Sequence, residues 1–314
     1  MSHELSYTTE DIAKILKISK LTVYDLIKKG ELPAYRVGRQ MRVDADDLER
    51  YKARAKGGNL RPAVPQPETV RLDTIRETAG VRPLVITGQD VSLDILTKHI
   101  EKRTKSYRPL RSHVGSLDSL IAMYQGQADI VSTHLLDGDT GTYNVPYVRK
   151  LLTGHAYVVL NLVVRGAGLY VRRGNPKRIL GWADLARDDI RIVNREKGAG
   201  ARVLLDEQLR LHALSSRDVN GYDDEESNHL GVAGKVASGE ADAGVGIERA
   251  ASMVGVDFIP LIQERYDLVM LKHPHNEEWI GLITEIVRSD AFKKELRSIQ
   301  GYDLTHTGTV MYEC

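Results

Sequence analysis

Cysteine is nearly absent from this 314-residue sequence. The one cysteine is Cys314, so we expect no intrachain disulfide and no cysteine-based zinc site. No apolar run approaches the roughly 20 residues that span a bilayer, and the first residues lack the basic start and apolar segment of a secretory signal. We therefore expect a globular protein of the cytoplasm that does not enter a membrane.

Signatures of catalysis are missing too. The sequence has no HExxH zinc motif, no GxSxG nucleophile motif and no P-loop ending in Lys-Ser/Thr. Three histidines and three aspartates of the longer second part could supply acid–base or metal groups, but no pair of them has metal-ligand spacing: His134, His155, His229, Asp129, Asp137 and Asp139. We predict a protein that is not an enzyme and that has no metal cation or cofactor.

Net charge is small, but its distribution is uneven. The whole chain carries +1, whereas residues 1–56 hold 12 Lys and Arg against 9 Asp and Glu. Between Lys17 and Arg42, seven basic residues are accompanied only by Asp25 and Glu31. A local basic surface on a small unit is typical of contact with nucleic-acid phosphates.

Two short helices are predicted in this basic region. Thr8 or Thr9 caps the first, and Ser19 caps the second after a break at Lys17. Gly30 ends the second helix. The pattern predicts a helix-turn-helix, and two short strands that turn at Gly38-Arg39 predict a wing behind it.

Several segments here resemble one family. Tyr7-Thr-Thr-Glu-Asp-Ile-Ala-Lys-Ile-Leu16, Gly30-Glu-Leu-Pro-Ala-Tyr-Arg-Val-Gly-Arg39 and Arg42-Val-Asp-Ala-Asp-Asp-Leu48 are similar to the excisionase and MerR-like winged helix-turn-helix family. The resemblance implies that the second helix enters the major groove of DNA and that the wing grips the backbone. The alternative is a small protein-binding domain with a solvated basic face. The predicted DNA contacts lie on the second helix and wing: Ser19, Lys20, Thr22, Tyr24, Lys28, Arg36, Arg39, Gln40 and Arg42.

After the helix-turn-helix, the sequence predicts a linker and then a second region with a different arrangement of secondary structure. Residues 57–81 are predicted as a linker with a docking segment or dimer contact, because Pro62, Pro65 and Pro67 interrupt apolar periodicity. From residue 82 onward, strands alternate with helices, which predicts an open α/β sheet with ligands at the carboxyl ends of its strands.

Small residues at several predicted strand ends indicate a shared anion site. Thr87-Gly88, Ser116, Ser132-Thr133 and Gly198-Ala-Gly200 combine hydroxyl groups with backbone that a compact anion can approach. The stretch Asn194–Arg202 reads as a strand, a glycine-bearing turn and a helix start, where free N–H groups and the helix dipole attract an anion.

The second half resembles the type 2 periplasmic-binding-protein fold, in particular the molybdate-binding-protein-like domains that some bacterial regulators carry behind a helix-turn-helix. The resemblance rests on Asn194–Arg202, on Gly239-Glu-Ala-Asp-Ala-Gly-Val-Gly-Ile247 and on Glu264-Arg-Tyr-Asp-Leu268. It implies two lobes closing on a ligand. The predicted domains are therefore a winged helix-turn-helix (1–56), a linker (57–81) and a two-lobed α/β domain (82–314), with lobe 1 at about 82–165 and 266–314 and lobe 2 at about 166–265.

The resemblance also implies individual roles. Thr87, Gly88 and Ser116 become donors of lobe 1, Ala199 and Gly200 become amide donors of lobe 2, and Gly246 and the Tyr266 hydroxyl lie near the ligand. With Thr133, Arg195 and Arg202, the predicted ligand-binding set is Thr87, Gly88, Ser116, Thr133, Arg195, Ala199, Gly200, Arg202, Gly246 and Tyr266. The two arginines depart from the family pattern, which uses neutral groups for molybdate.

We thus expect a transcription regulator, acting as a homodimer on an operator, that senses molybdate or tungstate. One alternative is a regulator of the same kind that senses a small carboxylate or phosphate through Arg195 or Arg202, whose guanidinium groups suit bidentate pairing. A small-molecule enzyme tethered to DNA is the least favoured alternative.

Overall fold

The computed structural model describes residues 6–37, 40–45, 47–48, 51–52 and 81–314. The chain divides into two compact units, residues 1–70 and 71–314. The predicted DNA contact at Arg39 and the predicted linker and docking segment, up to residue 80, lie outside the described residues.

The first unit begins with two capped helices, α1 (Thr9–Leu16) and α2 (Lys20–Lys28). The side chains of Thr8 and Asp11 form a reciprocal capping box at the start of α1. Lys17 turns the chain with a left-handed φ of 56°, and Ser19 accepts a hydrogen bond from the Thr22 N–H at the start of α2. Both predicted caps and the predicted break are confirmed.

A small antiparallel sheet completes this unit. Its strands are β1 (Ser6–Thr8), β2 (Tyr35–Val37) and β3 (Gln40–Asp44), with β3 between the other two. A buried cluster joins the helices to the sheet: Ile12, Val23, Leu32, Val43 and Leu48. The β2–β3 pair lies where the wing was predicted.

The second unit is a mixed α/β structure. Its strands are β4 (Arg82–Thr87), β5 (Tyr107–Ser112), β6 (Ile130–Thr133), β7 (Leu136–Asp137), β8 (Thr142–Tyr143), β9 (Tyr157–Val171), β10 (Ile192–Arg195), β11 (Glu225–Glu226), β12 (Ala243–Ile247), β13 (Asp257–Leu271), β14 (Tyr302–Asp303) and β15 (Val310–Glu313). Its helices are α3 (Ser92–Arg103), α4 (Ser116–Tyr124), α5 (Val145–Leu151), α6 (Gly200–Leu211), α7 (His229–Ser238), α8 (Glu248–Val254), α9 (Glu277–Arg288) and α10 (Asp290–Arg297), with 3-10 turns at Trp182–Ala186 and Ser216–Asp218.

Two long antiparallel strands, β9 and β13, hold the second unit together. The sheet order is β11-β10-β12-β9-β13-β6-β4-β5. All the remaining strands of this path therefore lie on one side or the other of the β9–β13 pair. From the sequence, the glycines of Gly166-Ala-Gly168 lead us to expect two separate strands, at residues 157–164 and 169–172, and this expectation is wrong, because β9 is continuous. Gly168 pairs with Pro260 within the continuous strand, and a Cβ there would lie 2.0 Å from the Ile259 carbonyl oxygen. The glycine therefore permits close strand pairing rather than a break.

Separate hydrophobic clusters build the two lobes. Lobe 1 contains β4–β6, α3–α5, α9 and α10, and its larger core includes Leu93, Leu160 and Trp279. Lobe 2 contains β10–β12 and α6–α8, and its larger core includes Leu169 and Leu205. The β7–β8 hairpin falls in the sequence range predicted for lobe 1, yet it buries Leu136 and Tyr143 in this lobe 2 core.

Candidate ligand-binding cleft

A cavity of about 290 Å³ lies between the lobes. Lobe 1 contributes the segments after β4 and β6 and the start of α4, and lobe 2 contributes the starts of α6, α7 and α8. Six of the predicted ligand-binding residues line it: Gly88, Ser116, Arg195, Ala199, Gly200 and Tyr266. The strand ends and helix starts of the two lobes therefore converge on one space.

The starts of α4 and α6 meet across the cleft. The Leu117 N–H donates to the Gly198 carbonyl oxygen at 3.0 Å, and a Cβ on Gly115 would lie 2.6 Å from that same oxygen. A Cβ on Gly200 would lie 2.4 Å from the His134 ring. The first N–H groups of a helix have no intrahelical acceptor. The contact between α4 and α6 therefore brings the amide donors and the positive dipole ends of two helices close together at the cleft.

The Tyr266 hydroxyl is held against the end of β4. It lies 2.7 Å from the Ser132 Oγ, which donates to the Thr87 carbonyl oxygen at 2.9 Å. Burial and the nearby Asp90 raise the pKa of Tyr266 to about 12, so the phenol stays protonated. Gly88 is required here, since its φ is 131° and a Cβ would lie 1.8 Å from the Ser132 Oγ.

A buried ionic network forms the floor of the cleft. Arg165 of β9 pairs with Asp90 and, at 2.6 Å, with Glu264 of β13, whose other oxygen lies 3.0 Å from the His134 Nδ1. Tyr302 of β14 donates to Asp90 at 2.5 Å. Burial alone would raise the pKa of Glu264, but His134 and Arg165 outweigh it and hold that pKa well below its ordinary value. The network joins lobe 1 to both long strands.

The pKa of Asp90 is lowered by the same kind of balance. Its burial favours the neutral acid, but Arg165 and hydrogen bonds from Ser92 and Tyr302 lower its pKa overall. His229 behaves differently, because burial and the charge of Arg195 hold its pKa well below the ordinary 6.5. The imidazole of His229 is therefore neutral at pH 7, and its Nδ1 has no hydrogen-bond partner among the described residues.

Arg195 lines the cleft, and its Nε and Nη2 atoms are held by neighbouring groups. Its guanidinium pairs with Glu196 at 2.7 Å and donates to the Ser227 carbonyl oxygen at 3.1 Å. It also donates to the Gln89 side-chain oxygen at 2.6 Å, across the lobes. Arg195 thus connects lobe 2 to lobe 1.

Four predicted ligand-binding residues are not among those that line the cavity. Arg202 is buried beside it, lies 4.1 Å from the Tyr222 ring centroid and pairs with Glu225 at 3.1 Å. Gly246 lies under Tyr170, whose hydroxyl oxygen would be 2.0 Å from an added Cβ. The hydroxyl groups of Thr87 and Thr133 are buried without a hydrogen-bond partner among the described residues.

Several lining residues were missed by the sequence analysis. They are Gln89, Arg165, Arg249, Met253 and Tyr302. Arg165 had a usable signal, since it is the one charged residue in the run from Tyr157 to Val171, where Asn161 is the other strongly polar side chain. Arg249 and Met253 lie one helical turn apart on α8, in a segment without a recognisable motif.

Most of the predicted DNA contacts that the structure describes are exposed on the first unit. Ser19, Thr22, Tyr24 and Lys28 are all exposed on or next to α2. Lys20 is exposed too, and it pairs with Glu10 of α1 at 2.5 Å. On the sheet, Arg36 and Gln40 are exposed, and Arg42 donates to Ser6 at 3.1 Å.

In the part of the chain that the structure describes, no helix is long and apolar enough to cross a membrane. The same residues contain no group of three or more His, Cys, Asp and Glu side chains placed to hold a metal ion.

Comparison with protein families identifies both units. A helix-turn-helix domain model matches residues 6–56, and the PBP superfamily domain model matches residues 97–288. The chain therefore belongs to the PBP superfamily and carries a helix-turn-helix domain before its binding-protein domain. This combination is that of a DNA-binding, ligand-binding regulator, and neither domain type is enzymatic.

A full-length relative and two solved structures agree with this assignment. The chain is 53% identical over 313 residues to YvgK of Bacillus subtilis (strain 168), covering 100% of both chains. A Clostridium perfringens substrate-binding protein with bound phosphate, assigned to a phosphate ABC transporter, matches with a TM-score of 0.52 at 13% identity, over 70% of this chain and 99% of that one. The ancestral amino-acid-binding protein AncCDT-1 also has a TM-score of 0.52, at 17% identity, over 73% and 98%. At these identities the structures establish the fold.

Proposed function

We propose that this protein is a transcription regulator of the cytoplasm whose affinity for an operator changes when an oxyanion binds between its lobes. The observation that carries the proposal is the meeting of α4 and α6 at the cleft, with the Leu117 N–H 3.0 Å from the Gly198 carbonyl oxygen. Amide donors from both lobes reach one anion only when the lobes are closed, so the anion favours the closed arrangement.

Near the starts of α4 and α6, the electrostatics of the cleft support an oxyanion held mainly by neutral donors. Arg165 is offset by Asp90 and Glu264, and Arg195 is offset by Glu196. The Ser116 hydroxyl, at the start of α4, is a neutral donor that lines the cleft. Molybdate and tungstate, which the family resemblance predicts, belong to this ligand class.

Recognition of a carboxylate or phosphate through Arg195 or Arg202 is less well supported. Arg195 already has four hydrogen-bond acceptors in Glu196, Gln89, Ser227 and Glu226. Arg202 is absent from the lining of the cleft and faces Glu225 and Tyr222. An incoming anion would have to displace these partners.

The regulator is proposed to act as a homodimer on two operator half-sites, because one small winged domain offers limited contact area. Closure of the lobes would then alter the spacing of the two DNA-binding units. A ligand can shift DNA affinity only through its differential affinity for the two arrangements.

Isothermal titration calorimetry of the full chain with molybdate, tungstate, phosphate, sulfate and acetate tests the ligand class. We expect at least one oxyanion to bind, and we expect that anion to change the affinity for genomic DNA fragments in a mobility-shift assay. If none binds, or if the bound anion leaves DNA affinity unchanged, the proposed function is wrong. Turnover of any bound compound would support the enzyme alternative.

A further inference from the structure

The lobe 2 side of the cleft includes an apolar wall. This wall consists of Leu230 of α7 and of Ile247, Ala250 and Met253 at α8. Leu230 is 45% exposed and Met253 is 62% exposed. Such side chains contribute nothing to the binding of a bare oxyanion, whereas they suit the apolar part of an organic ligand.

The volume of the cleft also exceeds the need of a bare oxyanion. At about 30 Å³ for each water-sized oxygen, a tetrahedral oxyanion needs about 120 Å³. The cleft measures about 290 Å³. More than half of it therefore remains for other atoms of the ligand.

Arg249 adds a charge that none of the described residues balances with an ion pair. Its Nη1 is buried and has no hydrogen-bond partner among the described residues. The other two arginines that line the cleft, Arg165 and Arg195, have carboxylate partners. A cation in a cleft without a partner is costly, and an anionic ligand would offset that cost.

Arg249 lies close to the apolar wall. Arg249 and Met253 are four residues apart on α8, so they lie on one face of that helix. His229, next to Leu230 in the chain, also lines the cleft, and its Nδ1 likewise lacks a partner among the described residues. This part of the cleft thus combines a cation and a neutral imidazole with apolar side chains.

We propose that the effector is a small organic anion, with its oxyanion group at the starts of α4 and α6 and its apolar part on Leu230, Ile247 and Met253. Arg249 balances the charge of the ligand. This inference rests on the proposed function, since it names the class of effector that the same cleft binds.

Paired probes separate the two parts of the cleft. Calorimetry of the full chain would compare phosphate with butyl phosphate, and acetate with pentanoate. We expect the longer member of at least one pair to bind about tenfold more tightly, because burial of each CH₂ is favourable. Met253→Gln should remove most of this gain, and Arg249→Gln should weaken both members of the pair at least fivefold.

A matched control is Leu180→Gln, because Leu180 is 77% exposed and does not line the cleft. It should leave both members of each pair unchanged. If bare anions bind and neither alkyl probe gains affinity, this inference is wrong while the proposed function stands. A gain that survives Met253→Gln and Arg249→Gln would also overturn it. If neither bare nor alkyl anions bind, both the proposed function and this inference fail.

Discussion

The Arg195 guanidinium of lobe 2 donates to the Gln89 side-chain oxygen of lobe 1 at 2.6 Å. Glu196 holds the same guanidinium at 2.7 Å and also accepts from the Gln89 side-chain nitrogen at 3.2 Å. One glutamine thus satisfies both members of an ion pair across the cleft. Separation of the lobes would break this contact.

Replacing Gln89 therefore tests how much the contact contributes to closure. We expect Gln89→Ala to weaken oxyanion binding about three- to tenfold, since lost hydrogen bonds to charged groups are worth roughly 1.5–3 kcal/mol and water replaces part of them. The melting temperature should change little. Calorimetry and thermal unfolding measure the two effects. The control is Gln125→Ala at an exposed glutamine of lobe 1, and equal effects of the two variants on ligand affinity would contradict the prediction.

Gly115→Ala should obstruct closure sterically. An added methyl group would lie 2.6 Å from the Gly198 carbonyl oxygen in the opposite lobe, so the lobes must separate to accommodate it. We expect ligand affinity to fall at least tenfold, and small-angle X-ray scattering to show a larger radius of gyration in the presence of ligand. Gly234→Ala on α7 is the matched control, because nothing lies within 4 Å of its added Cβ. Undiminished binding by Gly115→Ala would contradict closure at this contact.

The floor network predicts a defined pH dependence of stability. Asp90 and Glu264 have lowered pKa values in the folded protein, so their stabilising contribution is present above the ordinary values of 3.8 and 4.5. It is lost as the pH falls below these values towards the folded-state pKa. We expect the free energy of unfolding to decrease as the pH is lowered from 5 to 3.

Glu264→Gln isolates the contribution of one carboxylate. At pH 7 it should lower the free energy of unfolding by about 3 kcal/mol, because it leaves Arg165 with one buried partner fewer. The difference in the free energy of unfolding between the wild type and this variant should narrow at acid pH, where the stabilising contribution of the wild-type carboxylate is lost. Chemical denaturation at pH 7 and 4 measures this, with Glu285→Gln at an exposed position as control. A difference that does not depend on pH would refute the assignment.

The exposed face of α2 predicts a salt-dependent contact with DNA. Lys28→Ala should weaken binding at low salt and reduce the slope of log affinity against log salt by about 0.9, the value for one phosphate contact. Fluorescence anisotropy with an operator-containing duplex measures the slope. Lys102→Ala on α3, an exposed lysine of the second unit, should leave the slope unchanged. Equal slopes for the wild type and Lys28→Ala would show that Lys28 does not contact DNA phosphates.

Local signals in the sequence were enough for the fold class and for many helix starts. The caps at Thr8 and Ser19 and the helix that begins at Gly200 were all predicted, because capping and glycine-bearing turns depend on residues a few positions apart. The same kind of signal failed at Gly168, where the requirement for glycine comes from Ile259 in a strand about ninety residues away. Periodicity cannot report such a contact.

The sequence by itself determined the helix-turn-helix, the alternation of strands and helices, and the small-residue stretch Asn194–Arg202 that begins α6. The tertiary structure alone decided which charges face the cleft. It engaged Arg195 across the lobes, directed Arg202 towards Tyr222, and left Arg249 without a partner among the described residues. The physical reason is that the direction and neutralisation of a long charged side chain depend on groups brought from distant segments.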